Sequence, residues 1–255
     1  MKVEKLTYSG IKDKQLPIFL EKHWVNTFSS INNVEYTYFG IKKKDDLKVV
    51  FGLYIKNKNQ AVQIPLSYYH PLVFFLEPRK RVNEYRQKKN SYLNIISQFL
   101  NKNFSKIYFN LDTNVVDGRP FIWNNINILN YYTFVINFQN FDKNNYTSTT
   151  KKAINKANKE DISLSKKIDF DKFWELNKIT FARQHKEFPY THNQLQKIFD
   201  ILSKKNFLIQ YNAKINGAIK GIRIIAVDRR KNVLYDFLAA SDYEGLKSGI
   251  NSWLI

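Results

Sequence analysis

Cysteine is absent from the 255 residues, and methionine occurs once. The first absence excludes disulfides, thiolate nucleophiles and Cys-ligated zinc. Histidine occurs four times, without His-Glu-x-x-His or comparable spacing, so no metal site is expected. No stretch approaches the roughly 20 apolar residues of a membrane-spanning helix. The first residues, MKVEKLTYSG, lack the apolar block of a secretory leader, and a cytoplasmic location is expected. Glycine (8) and proline (6) are sparse, so those that interrupt apolar runs carry positional meaning. Acidic residues are the last shortfall: 22 Asp and Glu stand against 41 Lys and Arg, a formal net charge of +19. Such a field attracts anions, among them nucleic acid, anionic lipid and phosphorylated cofactors. The lysines are spread along the chain, as solvated faces would have them.

What is present is enough to fold. Hydrophobic residues make up 44% of the chain and aromatics 16%, and the length suits two cores better than one. Strand-like runs occupy two zones, 36–65 and 207–237. Each has an apolar strand, a polar turn (Asp45-Asp46; Asn216-Gly217), a second strand carrying a glycine (Gly52; Gly221), a basic turn and a third strand. Aligning Gly52 with Gly221 sets Gly-Leu-Tyr-Ile against Gly-Ile-Arg-Ile and predicts a duplicated antiparallel meander. Helical stripes flank both zones. Residues 91–102 align Tyr92, Ile95, Ile96, Phe99 and Leu100. Residues 169–183 open on Asp169 and are expected to bury Phe170, Phe173, Trp174 and Phe181. Residues 191–204 begin with the capping box Thr191-x-x-Gln194. The run YYTFVINF, 131–138, reads as a strand, and the polar stretch 139–150 as a boundary. The expected organisation is therefore α+β, with related halves at about 1–140 and 141–255.

Four stretches in order resemble one family. They are PLSYYHPLVF (65–74), DGRPFIWNNINILNYYTFVINF (117–138), STTKKAINKANKEDISL (148–164) and ITFARQHKEFPYT (179–191). Together they resemble the GNAT-type acyltransferases, specifically the double-domain branch that includes Fem-type peptidoglycan-bridge aminoacyltransferases and an acetyltransferase-like subgroup. The resemblance implies tandem GNAT-like domains with mixed, largely antiparallel sheets flanked by helices. It implies acyl transfer from acyl-CoA or acetyl-CoA to an amine, on a small molecule or precursor. The alternative is Fem-type transfer from aminoacyl-tRNA to a cell-wall or lipid precursor. A third reading is a non-catalytic GNAT-like binding module.

In GNAT folds a central strand feeds a turn whose backbone amides face the acyl-CoA pyrophosphate at a helix N-terminus. On that resemblance Leu238, Ala239, Ala240, Lys247, Ser248, Gly249, Ile250 and Asn251 are the expected cofactor contacts, with a helix starting near Gly249. Members of the family continue beyond this helix with further strands. An incomplete second domain is therefore expected, with Ile250, Trp253 and Leu254 partly uncovered. His70, in SYYHP, and Asp236, on the otherwise apolar VLYDFLAAS, are the expected catalytic groups; Asp236 also reads as a solvent-facing edge residue. Tyr68, Tyr69, Arg183, Gln184 and Tyr190 are the expected substrate contacts, converging with His70 in an interdomain cleft. Lys151, Lys152, Lys156 and Lys159 read as a solvated helix face, or as contacts to a donor's phosphates.

Overall fold

The computed structural model describes residues 1–77 and 81–254. The chain divides into two units, Met1–Tyr131 and Tyr132–Ile255. The architecture is mixed α+β, with one sheet in each unit and helices flanking both.

In the first unit β1 (Val3–Leu6) is followed by α1 (Lys22–Asn32), β2 (Glu35–Lys43), β3 (Asp46–Lys56), β4 (Gln60–Val62) and β5 (Val73–Phe74). Then come α2 (Val82–Asn103), β6 (Lys106–Tyr108) and the short α3 (Arg119–Ile122). The strand order is β1-β2-β3-β4-β6, with β5 also on β3. Every named strand pair is antiparallel except β4–β6. α1 turns Trp24, Val25 and Phe28 inward and ends at Asn33 in the left-handed conformation, which asparagine tolerates. α2 is far longer than its apolar stripe. Tyr92, Leu93, Ile96 and Leu100 are buried against Phe39, Ile41, Val49, Phe51 and Leu53 of the sheet, while its first turns are polar and contribute no buried residue.

In the second unit α4 (Ser148–Ala157) precedes β7 (Ile162–Ser165), α5 (Phe170–Arg183) and α6 (His192–Lys204). These lead to β8 (Leu208–Ile215), β9 (Ala218–Asp228), β10 (Val233–Ser241), α7 (Tyr243–Ser248) and α8 (Ile250–Trp253). The strand order is β10-β9-β8-β7, all antiparallel. Asp169 caps α5 by accepting from the Lys172 amide, and the Thr191–Gln194 capping box opens α6. α5 buries Phe173 with Leu176, Asn177 and Thr180; Phe170, Trp174 and Phe181 are only half buried, which corrects the expected stripe.

The meander is duplicated, and β-bulges fix the correspondence. In β3 the ladder to β2 skips Lys48: Lys42 faces Leu47 and Ile41 faces Val49. In β9 the ladder to β8 skips Lys220: Lys214 faces Ile219 and Ala213 faces Gly221. Each bulge lies at the same place after a tight turn, at Lys44-Asp45 and at Asn216-Gly217. Val49, not Gly52, therefore corresponds to Gly221, and the glycine alignment is displaced by three residues. Gly52 answers a different need, because a Cβ there would lie 2.0 Å from the Tyr36 hydroxyl. The third strand also breaks at one place in both units. β4 and β5 both run along β3, separated by residues 63–72, and β10 bulges at Phe237 between Asp236 and Leu238.

Two local expectations are corrected. Residues 131–137 form no strand, and 138–140 form a 3-10 turn. Tyr132 and Phe134 are 97% and 101% exposed, so the apolar alternation there is unpaired. The helix after β10 starts at Tyr243, capped by Asp242, and Gly249 ends it with φ +85°. A Cβ on Gly249 would sit 2.4 Å from the Ala153 carbonyl oxygen of α4. Beyond it Ile250 is fully buried against Ala213 and Ile215, joined by half-buried Trp253 and Leu254; the Trp253 indole donates to Asn158.

Gly217 gives the control for Gly249, since it has φ +79° and a Cβ there would meet no atom within 4 Å. Gly217→Ala should cost about 1–2 kcal/mol for the left-handed backbone alone. Gly249→Ala should cost that plus about 1–3 kcal/mol of overpacking. Urea denaturation of the two variants measures the difference, and equal losses would mean that the α7–α8 turn does not bear on α4.

Candidate functional site

Ligands of open α/β sheets gather at the carboxyl ends of parallel strands. In the first unit those ends are Gln63 after β4 and Phe109–Asp112 after β6. The two ends are tied together. The Asn110 amide donates to Gln63 Oε1, and Gln63 Nε2 donates to the Ser67 carbonyl. The His70 amide donates to the Asn110 carbonyl at 2.7 Å.

His70 is 2% exposed, edge-on to Tyr54 at 5.6 Å and near Phe109 at 4.9 Å. Neither ring nitrogen has a well-formed hydrogen bond. Burial drives its pKa from the ordinary 6.5 to about 3, against the opposing pull of the Asn110 backbone. At neutral pH it is an uncharged ring enclosed by aromatics. Tyr68 and Tyr69 are half buried and pack on Phe19, at 6.4 and 5.8 Å.

Sequence reasoning missed Asp112. This partly buried carboxyl stands four residues beyond the carboxyl end of the parallel strand β6, which closes at Tyr108. Burial raises its pKa to about 6, against the opposing pull of Asn114 and Lys89. A carboxylate poised near neutrality is suited to accept a proton from an ammonium group. The signal available in the sequence was slight, an acid behind a three-residue strand.

In the second unit Arg183, Asp236 and the β10–α7 junction are linked. Ser241 is fully buried; its amide donates to Thr180 Oγ1, which in turn donates to the Ser241 carbonyl. Arg183 reaches that carbonyl at 3.5 Å and lies over the Tyr243 ring at 5.7 Å. Exposed Asp236 pairs with buried Arg223 at 3.0 Å, and Arg223 also donates to the Asn251 carbonyl. Asn251 donates to Ser241 Oγ, and Ser248 Oγ to the Gly245 carbonyl. Leu238 and Ala239 are half buried and Ala240 is buried. Gln184 is exposed at the end of α5, while Tyr190 is buried beside Phe188. Tyr68, Tyr69 and His70 belong to the first unit and Arg183, Gln184 and Tyr190 to the second.

The start of α7 is occupied by acids. Asp242 accepts from the Gly245 amide, and Lys220 pairs with both Asp242 and Glu244, at 3.4 and 2.6 Å. Lys247 and Ser248 instead line a groove of about 400 Å³ with Lys156, Glu160, Ile215, Tyr243 and Glu244. Among the described residues no group of three His, Asp or Glu is placed to hold a metal ion, and no helix is long and apolar enough to cross a membrane.

No family model and no curated protein matches this sequence. The fold is similar to that in the crystal structure of FemX, with a TM-score of 0.60 and 10% identity, over 100% of this chain and 84% of that one. The two-unit α+β architecture is thus a GNAT-like fold of the Fem kind.

The buried imidazole has a measurable consequence. Between pH 6.5 and about 3 the unfolded chain binds a proton at His70 and the native state does not. Stability is therefore full above pH 6.5 and falls as the pH drops through that window, by up to about 1.4 kcal/mol per unit. His70→Phe should flatten this decline in urea titrations across the window. An unchanged acid limb would mean that the imidazole is solvated.

Proposed function

We propose that the chain transfers an aminoacyl group from a charged tRNA to an amine of a cell-wall or lipid precursor, with Asp112 as the base. The likeness to FemX across the whole chain carries the reading. Fold alone does not define activity. Here it agrees with the sequence resemblance to the Fem-type branch, which uses aminoacyl-tRNA donors. Two features favour this donor over acyl-CoA. Asp242 and Glu244 set carboxylates at the α7 start, where a pyrophosphate would otherwise find free amides. The net charge of +19 suits a long polyanion. A tRNA donor also places the reaction in the cytoplasm.

The chemistry needs a free amine. The acceptor arrives as an ammonium ion and gives one proton to the Asp112 carboxylate. The amine nitrogen then attacks the ester carbonyl carbon, forming the C–N bond of the new amide. The C–O bond to the tRNA ribose breaks, the proton held on Asp112 passes to the departing oxygen, and the nitrogen's second excess proton passes to the freed Asp112 carboxylate and on to solvent as the amide forms. Neither oxidant nor metal is needed to balance this step.

Filter binding of bulk aminoacyl-tRNA should weaken steeply as salt rises. Transfer of radiolabelled aminoacyl groups to a precursor pool should increase with pH through about 6, as Asp112 loses its proton. Asp112→Asn should slow transfer about 10²–10⁴-fold and leave tRNA binding intact. Binding that is flat in salt, together with saturable CoA binding by calorimetry, would overturn the donor. Full activity in Asp112→Asn would overturn the base.

A further inference from the structure

We infer that the cleft between the polar first turns of α2 and residues 116–119 of the first unit is a binding site for a small carboxylate-bearing molecule. The inference goes beyond the transfer reading and does not rest on it, since neither His70 nor Asp112 lines this cleft. Its volume is about 510 Å³, within the range of roughly 300–1,000 Å³ usual for small-molecule sites.

The length of α2 is the first observation. Its buried stripe begins at Tyr92, yet the helix starts ten residues earlier, at Val82. No residue of those first turns is buried; their contact with the core is the cover that Lys88 and Lys89 give Tyr92 and Phe74. Their residues Asn83, Arg86, Gln87 and Asn90 follow i, i+3, i+4, i+7 spacing, which places them on one face, and all four line the cleft. Among the described residues of the lining Val116 alone is apolar, so the space suits a polar guest.

The facing wall is preorganised. Asp117 accepts from Asn90 Nδ2 at 2.6 Å, from the Arg119 amide at 3.1 Å, and from Arg119 Nε and Nη2 at 2.9 and 2.7 Å. These bonds, chiefly those from the Arg119 side chain, hold its carboxyl well below the usual range, so it stays ionised and cannot act as an acid. The Arg119 guanidinium is fixed by them and lies over the Trp123 ring at 5.9 Å. Arg86 has no carboxylate partner among the described residues.

Charge then selects the guest. Among the described residues of the lining, Arg86 and Arg119 against Asp117 leave one net positive charge. A single carboxylate neutralises it, and the planar guanidinium fork matches a carboxylate in shape. Asn83 and Gln87 offer both donors and acceptors beside it, as a neighbouring amide or hydroxyl requires. The ligand class is a small carboxylate with a neutral hydrogen-bonding group next to it, as in an N-acylated amino acid or a peptide C-terminus.

The test is an NMR titration of the full chain, following arginine Nε–H and tryptophan indole N–H signals. The probes are N-acetylalanine, N-acetylalanine amide and inorganic phosphate. N-acetylalanine should shift the Arg86, Arg119 and Trp123 signals saturably, and the uncharged amide should not. Arg86→Gln, an exposed change, should weaken binding about tenfold or more, as loss of a charge-assisted fork implies. Lys102→Gln, exposed at the other end of α2, removes the same charge and should leave affinity unchanged. Equal shifts from the amide probe, or equal losses in the two variants, would overturn the site. Tighter binding of phosphate than of N-acetylalanine would overturn the ligand class, and no saturable shift in the tens of millimolar would overturn both.

Discussion

Each unit depends on one backbone constraint, a hairpin whose second strand holds one lysine out of the ladder. Side chains alternate along a strand, so a one-residue slip would reverse every face beyond the bulge. Lys48 and Lys220 absorb that slip. Past Lys48 the register puts Phe39 against Phe51, stacked at 5.4 Å, on the face covered by α2. The break in the third strand follows from the same frame. It frees residues 63–72 to carry His70 in one unit, and it kinks β10 between Asp236 and Leu238 in the other. His70 and Asp236, the two groups that the sequence marks for catalysis, thus flank corresponding interruptions of a repeated meander.

Within this frame a basic chain puts its scarce carboxylates to three different uses. Burial outweighs local hydrogen bonds at Asp112, and its proton affinity rises into the neutral range. A fixed guanidinium outweighs burial at Asp117, which becomes a permanent anion that aims Arg119. Asp242 is spent on a helix cap, shared with Lys220. The side chain is identical in each case, and the environment decides between proton carrier, anchor and cap.

Local signals were legible where the physics is local. The Thr191–Gln194 capping box, the Asp169 cap and the Asn216-Gly217 turn all stand where the residues place them. The bulges were not legible, because nothing in a lysine's identity says that it leaves the ladder, and matching glycine to glycine consequently sets the repeat three residues off. The first turns of α2 were missed because they are polar on nearly every side and bury no residue, so they show no apolar period. The run 131–137 has strand-like alternation, but pairing needs a neighbour as well as a pattern, and it has none here. Asp112 was invisible for a further reason: its proton affinity is made by tertiary burial, which no sequence window contains.

Residues 120–141 contain no charged side chain, and Trp123, Leu129, Tyr131, Tyr132, Phe134, Val135 and Phe138 within them are exposed. Such a strip attracts its like, whereas a net charge of +19 keeps copies apart. The two forces answer oppositely to ionic strength. Salt shortens the reach of the repulsion to about 8 Å at physiological strength and leaves the apolar attraction untouched. Colloidal stability of this protein is therefore electrostatic in origin, and dilute buffers should keep it dispersed better than concentrated ones.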